Sequence, residues 1–294
     1  MTQRRSTSLG PGRILGIIGH PVAHSASPAM HNAAFAAQGM HAMYGAFDVP
    51  PSHLEKAIAG IRTLGLLGVN VTIPHKQAVM AYLDEVAPTA RQVGAVNTIV
   101  NRGGRLIGYN TDGWGFLISL EERGVRLAGK SAVVLGAGGA ARAVALHLGM
   151  AGVARLTIIN RSRPRAEFLA ADLARAKTPV RADVAEPGTE EAGAALAEAG
   201  LVVNCTPLGM DPDTESTPLE DVGILPVGCV VYDTIYRPLE TRLLREARQR
   251  GLVTVNGLAM LVHQGACSWE YWFGRRGPVD VMRTAAMAAL EVQP

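Results

Sequence analysis

The feature that most constrains this chain is a short apolar run, Lys130-Ser131-Ala132-Val133-Val134-Leu135. It breaks directly into Gly136-Ala137-Gly138-Gly139-Ala140-Ala141 and then into an alanine-rich stretch reaching about Ala151. A run of that length, stopped by glycines and followed by good helix formers, predicts a buried strand, a tight turn and a helix. The spacing Gly136-x-Gly138-x-x-Ala141 is that of a dinucleotide-binding turn. Its glycines let the main chain approach a pyrophosphate, and the opening of a helix offers unpaired N–H groups and a positive dipole end. Gly136, Ala137, Gly138, Gly139 and Ala140 are therefore candidate cofactor residues. Alone, such a string can be no more than a tight turn; its place between strand and helix favours nucleotide binding.

The next strand, 155–160, runs into Asn160-Arg161-Ser162-Arg163-Pro164-Arg165. A site for NAD(H) usually carries an acid near here to hold the adenosine ribose, and this segment has none. Guanidinium groups instead suit a 2′-phosphate, which they can grip through planar, charge-assisted contacts. Arg161 and Arg165 become candidates for that contact, and NADP(H) is the expected cofactor. Arg163 is equally well read as a solvated loop residue.

Strand and helix alternate through the rest of the chain. Residues 13–19 read as a strand. A helix capped by Ser27, with Pro28 in its first turn, runs to about Gln38. Strand 42–49, helix 52–62 and strand 68–73 follow. Residues 76–86 read as helical, and 95–101 with 106–109 as a pair of strands joined at Gly103-Gly104. A helix over 114–123 precedes the point where the pattern restarts. Beyond the glycine turn lie a helix from about 164 and strands at 200–204 and 228–232, and the tail from about Gly257 reads as helical. Such alternation predicts an α/β fold with parallel sheet and crossover helices. At 294 residues, two modest domains are expected. The pattern divides them near residue 113: an N-terminal α/β substrate domain over 1–113, and a Rossmann-type NADP-binding domain with a mainly parallel sheet over 114–257.

Composition narrows the functional classes. Hydrophobic residues make up 48% and charged residues 18%, an ordinary globular balance, and the net charge of +3 comes without a basic stripe interleaved with aromatics. Nucleic acid is not an expected partner. No run is long enough to span a bilayer, so no membrane association is expected. Arg4 and Arg5 sit together as in a twin-arginine leader. The apolar stretch that follows, Ile14 to Ile18, is too short for a leader core and reads as a strand. Cys205, Cys229 and Cys267 lie far apart, without metal-ligand spacing, and suit a reducing compartment. His20, His24, His31 and His41 match no common metal-site spacing either, so no metal is expected. The expected location is the cytoplasm.

Lysine occurs four times (Lys56, Lys76, Lys130, Lys177) among 28 basic residues. An amine can be tuned to release its proton near neutrality and a guanidinium cannot, so a lysine is an unusual choice in this chain. Lys76 falls in Asn70-Val71-Thr72-Ile73-Pro74-His75-Lys76, at the C-terminal end of a strand, where ligands gather in open α/β sheets. Gly94-Ala95-Val96-Asn97-Thr98 and Asn110-Thr111-Asp112-Gly113 are two further polar interruptions. Taken singly, each admits a structural role: Asn97 satisfying backbone groups, Asp112 capping a helix, Lys76 solvated. Cys205 lacks a partnered base and reads as a small buried thiol.

Together these segments resemble shikimate dehydrogenases. The resemblance rests on Gly19-His20-Pro21, His24-Ser25-x-Ser27-Pro28-x-x-His31-Asn32, the three polar segments above and the nucleotide turn with Asn160-Arg161. It extends to Asn204-Cys205-Thr206-Pro207-Leu208-Gly209-Met210, Tyr232-Asp233-Thr234-Ile235-Tyr236 and Gly257-Leu258-Ala259-Met260-Leu261-Val262-x-Gln264. It covers nearly the whole chain. It implies reversible reduction of 3-dehydroshikimate to shikimate with NADPH, with Lys76 and Asp112 as the catalytic pair. By the same resemblance Ser25 and Ser27 bind the substrate carboxylate. Thr72, Asn97, Tyr236 and Gln264 help to hold that carboxylate and the ring hydroxyls. Asn160, Arg161, Ser162 and Arg165 hold the adenosine ribose phosphate, and Thr234 and Gly257 sit beside the nicotinamide. Because Gln264 lies so late, helices 258–294 should fold back to complete the substrate domain. The expected assembly is a monomer or a homodimer. The competing readings are a quinate/shikimate dehydrogenase of broader specificity, a catalytically silent NADP(H) or ligand sensor, and a reductase acting on an amino-substituted ring.

Overall fold

The computed structural model describes residues 12–176, 178 and 180–292; the Arg4-Arg5 pair and Lys177 lie outside them. Chain order sorts the described strands into two six-stranded sheets. The first is built from β1 (Arg13–Gly19), α1 (Ser27–Ala37), β2 (Ala42–Asp48), α2 (Leu54–Thr63), β3 (Gly68–Val71), β4 (Glu85–Val86), α3 (Pro88–Val93), β5 (Thr98–Arg102) and β6 (Arg105–Tyr109). Its order is β2-β1-β3-β5-β6-β4. β1 pairs in parallel with β2 and β3, but β3–β5 and β5–β6 are antiparallel, so this sheet is mixed. Its side chains alternate between two cores. Leu15, Ile17 and Tyr44 join one, and Ile18, Val69 and Val71 join Ile58 and Ile61 of α2 in the other.

The second half contains α4 (Asp112–Glu121), β7 (Ser131–Leu135), α5 (Gly139–Met150), β8 (Arg155–Ile159), α6 (Arg163–Arg175), β9 (Ala182–Ala185), α7 (Glu190–Ala197), β10 (Leu201–Asn204), β11 (Val230–Asp233), α8 (Arg242–Gln249) and β12 (Val253–Val255). All of its strand pairs are parallel, in the order β12-β11-β10-β7-β8-β9. That is the doubly wound Rossmann order, and the direction of winding reverses between β7 and β10. A crevice opens beyond the strand ends at such a point. Val134, Ile158 and Val203 pack under α5 and α6 on one face, and Val133, Val202 and Val231 under α7 and α8 on the other.

The last helices, α9 (Leu258–Phe273) and α10 (Val279–Val292), return to the first sheet. Trp269, fully buried, packs with Phe35 and Met30 of α1, and Trp272 donates its indole N–H to the Ile99 carbonyl of β5 (3.0 Å). Burying one such ring contributes several kcal/mol, roughly 4 by apolar area. α4 meets α9 at Gly115, where an added Cβ would lie 2.8 Å from the Gln264 nitrogen and the Met260 carbonyl oxygen. That close approach sets Gln264 against the start of α4.

Several expectations need correction. Ser27 is the first residue of α1 rather than its cap; the cap position is Ala26, and the Ser27 N–H is taken by the Ser25 hydroxyl oxygen (3.2 Å). No α-helix forms over 76–86. The Lys76 carbonyl accepts from Val96 N–H (2.7 Å), which removes it from any helical ladder, and Asp84 N–H bonds to the Leu106 carbonyl (3.1 Å). A short 3₁₀ turn at Ala78–Tyr82 and the strand β4 result. α3, β9, α7, α8 and β12 add to the elements expected from the local pattern. Of the early histidines, His31 is core: it stacks on Tyr44 (4.4 Å between ring centres), and burial pushes its pKa down to about 3.

Candidate active site

Lys76 and Asp112 meet at the seam between the two halves. Lys76 leaves the turn that follows β3, and its Nζ lies 2.6 Å from Asp112 Oδ2. The lysine side chain is 18% exposed and the carboxylate 7%, so the pair is sheltered but reachable. Asp112 is the first residue of α4, not its cap: its side chain turns toward Lys76 and Asn97 instead of back onto the helix N–H groups. Its own N–H is held by Asn110 Oδ1 (3.1 Å).

Asn97 orients the second carboxylate oxygen. Its Oδ1 accepts from Thr111 N–H (2.9 Å) and the Thr98 hydroxyl (2.9 Å). A backbone N–H can only donate, so the amide orientation is set. Its Nδ2 then faces Asp112 Oδ1 (2.8 Å), the Thr111 hydroxyl (2.9 Å) and Gln264 Oε1 (3.3 Å). Behind it, Asn70 donates to the Asn97 carbonyl (3.1 Å) and to Ser268 Oγ (3.0 Å) while accepting from the Tyr44 hydroxyl (2.7 Å). Almost every member is buried. A satisfied network of this kind holds its groups in one arrangement. Asn70, Thr98, Thr111 and Ser268 were not among the expected site residues. The one available signal for Ser268 is its place one helical turn after Gln264.

The nucleotide turn lies immediately beside this pair. Gly136 has φ +107°, and an added Cβ would come within 3.2 Å of the Cys205 main chain and Thr206, so the β7 and β10 turns touch across the reversal point. No side chain caps the first turn of α5 and no acid sits there, which leaves its N–H groups for an anion. A Cβ at Gly139 would lie 3.6 Å from Lys76 Cδ, so the turn rests against the lysine stem. Beyond β8, Asn160 Nδ2 donates to the Ser162 carbonyl (2.8 Å) and shapes the turn. Arg161 and Arg165 are exposed, and neither forms an ion pair among the described residues, whereas Arg163 pairs with Glu167 (2.9 Å). An uncapped helix opening next to unpaired guanidinium groups fits a dinucleotide carrying a further phosphate.

Thr234 and Gly257 are adjacent: a Cβ at Gly257 would sit 2.1 Å from the Thr234 carbonyl oxygen, so no side chain fits there. Tyr236, two residues beyond Thr234, crosses from the second half to pack on the first-sheet core. Ser25 lies in the turn after β1, its N–H bonded to the Val22 carbonyl (3.1 Å), Ser27 opens α1, and Thr72 follows β3 with its N–H bonded to the Ile18 carbonyl (2.9 Å). Among the described residues, none of these three, nor Tyr236, is hydrogen-bonded into the Lys76–Asp112 network. Burial, then the nearby Asp233 and Asp112 charges, raise the Cys205 thiol pKa, which fits an inert thiol and not a nucleophile.

Family models match the chain in three blocks. They are the shikimate dehydrogenase substrate binding domain over residues 17–99, shikimate / quinate 5-dehydrogenase over 119–207, and the shikimate 5'-dehydrogenase C-terminal domain over 257–287. A protein of Symbiobacterium thermophilum described as shikimate dehydrogenase (NADP(+)) is 91% identical over 294 residues, which cover 100% of each chain. The crystal structure of shikimate 5-dehydrogenase from Thermus thermophilus in complex with NADP(H) and shikimate matches with a TM-score of 0.85 at 41% identity, covering 95% of this chain and 100% of that one. Quinate dehydrogenase from Corynebacterium glutamicum in complex with NAD matches with a TM-score of 0.86 at 35% identity, covering 94% and 99%. Fold similarity therefore does not separate the two substrates or the two cofactors.

Proposed function

This chain belongs to the shikimate dehydrogenase family, and on that premise we propose that it catalyses the reversible, NADPH-dependent reduction of 3-dehydroshikimate to shikimate in aromatic amino-acid biosynthesis. The observation that carries the reading is the Lys76–Asp112 contact set against the opening of α5. Gly136, Ala137, Gly138, Gly139 and Ala140 hold the pyrophosphate. Asn160, Arg161, Ser162 and Arg165 hold the adenosine ribose and its 2′-phosphate. Thr234 and Gly257 flank the nicotinamide. NADPH, when bound, supplies the hydride.

The protein's part is positioning and charge. Reduction of a ketone builds negative charge on its oxygen. The Lys76 ammonium sits where it stabilises that charge and gives up a proton to it. Asp112 fixes the ammonium, and Asn97 fixes Asp112, so little reorganisation is needed as the charge develops. Ser25 and Ser27 hold the substrate carboxylate, and Thr72, Asn97, Tyr236 and Gln264 the remaining polar groups. We assign residues 1–113 with 258–294 to the substrate domain and 114–257 to the NADP domain, a division supported by the two sheets and by the packing of α9 on the first. The proposed location is the cytoplasm, and the proposed assembly a monomer or homodimer. Steady-state oxidation of shikimate and quinate with NADP+ and NAD+ tests the reading. Shikimate with NADP+ should be used far better than the other three combinations; equal rates with both cofactors would sink the assignment of Arg161 and Arg165.

A further inference from the structure

α5 begins at the nucleotide turn, and its successive turns touch earlier segments of the chain at three places in or near the chemical site. Gly139 lies against Lys76. His147 packs on Gly113, the neighbour of Asp112: a Cβ there would fall 2.0 Å from the ring Nδ1. Between them, Arg142 reaches α3. Its Nε donates to the Val93 carbonyl (2.8 Å), a last-turn acceptor that α3 cannot satisfy itself. Its Nη2 pairs with Asp172 of α6. The residue is only 5% exposed, and its guanidinium lies over the Phe168 ring (5.5 Å to the centroid). Gly94, which follows Val93, holds φ +69° with the same guanidinium against it; an added Cβ would lie 2.8 Å from Nη2. Three residues on is Asn97, and Val96 N–H is bonded to the Lys76 carbonyl.

We propose that Arg142 is a positioning residue that ties the nucleotide helix to the segment carrying Asn97, so that cofactor and substrate strengthen each other's binding. The inference rests on the functional reading above. A buried guanidinium with two fixed acceptors is a planar bracket: one arm sets the height of α5 against α6, the other sets the end of α3. Ordering α5 by filling its N-terminus then orders the path Val93–Gly94–Ala95–Val96–Asn97. Coupling of this kind is reciprocal, so shikimate tightens NADP+ by the same factor as NADP+ tightens shikimate.

Arg142→Lys tests it. A lysine keeps the charge but cannot span both acceptors. Titration of NADP+ without shikimate should give a dissociation constant within about twofold of the unsubstituted protein. The factor by which shikimate tightens NADP+ should fall by about fivefold or more, and kcat by about tenfold. A folded variant with unchanged coupling and kcat overturns the proposal. So does one that loses NADP+ affinity in the absence of shikimate, because Arg142 would then merely support α5. If Arg142→Lys does not fold, Asp172→Asn decides. It loosens the same guanidinium while keeping an acceptor, and should reduce the coupling in the same direction, by less; intact coupling there overturns the proposal. Absence of shikimate oxidation by the unsubstituted protein would instead count against the functional reading.

Discussion

The nucleotide side and the chemical side of this cleft are built in opposite ways. The nucleotide side is main chain and exposed charge: an uncapped helix opening, glycines where two turns touch, and Arg161 and Arg165 without ion-pair partners among the described residues. The chemical side is buried side chain. Asp112 is held through Lys76, Asn97 and the amide of Asn110, and behind these stand Asn70, Thr98 and Ser268. An anion with its own hydration needs donors and positive charge that are ready when it arrives. A developing oxyanion needs groups already fixed, because reorganising them would raise the barrier. The first demand is met by local backbone geometry. The second requires contacts between segments far apart in the chain.

If that contrast is right, the chemical side should be the less forgiving. Lys76→Ala removes the proposed proton donor and should lower kcat by a hundred- to ten-thousand-fold on the order of magnitude, with shikimate affinity much less affected. Turnover surviving intact in that variant would break the central assignment. Replacing Arg161 and Arg165 together by alanine should raise KM for NADP+ by roughly a hundredfold and leave that for NAD+ nearly unchanged. A similar loss with both cofactors would show that these arginines do not read the 2′-phosphate.

The smallest effect concerns a polar cluster buried at the end of β11 in the nucleotide sheet. Asp233, at the end of β11, accepts from Ile235 N–H, Asn204 and Thr241, yet burial outweighs these bonds and raises its pKa to about 6. The folded protein thus holds this proton more tightly than the unfolded chain, whose carboxyl titrates near its ordinary value of 3.8. Its stabilising contribution is full below about pH 4 and is lost as pH rises through about 6, a change on the order of 3 kcal/mol. Thermal melts of the unsubstituted protein and Asp233→Asn at pH 4.5 and pH 7 should therefore diverge, with the former gaining on the variant in acid. A constant difference between the two would mean that Asp233 stays ionised throughout.

What could be read in advance follows the same division. The glycine turn, its strand and helix, and the arginines after β8 are consecutive in the chain, and sequence periodicity located them to within a residue or two. The segment 76–86 misled because its carbonyl at Lys76 is used by Val96, a partner twenty residues away that no local pattern announces. Asp112 admits a helix cap as one alternative for the same reason: an Asp before a helix suits a cap, and only the presence of Lys76 and Asn97 turns its side chain aside.

By itself, then, the sequence determined the alternating α/β class and the strand, glycine turn and helix at 131–150, and it supplied, through resemblance, the residues proposed for the site. Only the tertiary structure decided that the first sheet is mixed, that α9 also sets Ser268 behind Asn97, and that α5 braces the substrate side through Arg142 and His147. Propensity and periodicity act over a few residues. Buried hydrogen bonds between Asn70 and Ser268, or between Arg142 and Val93, exist only once the chain has folded back and excluded the water that would otherwise satisfy those groups.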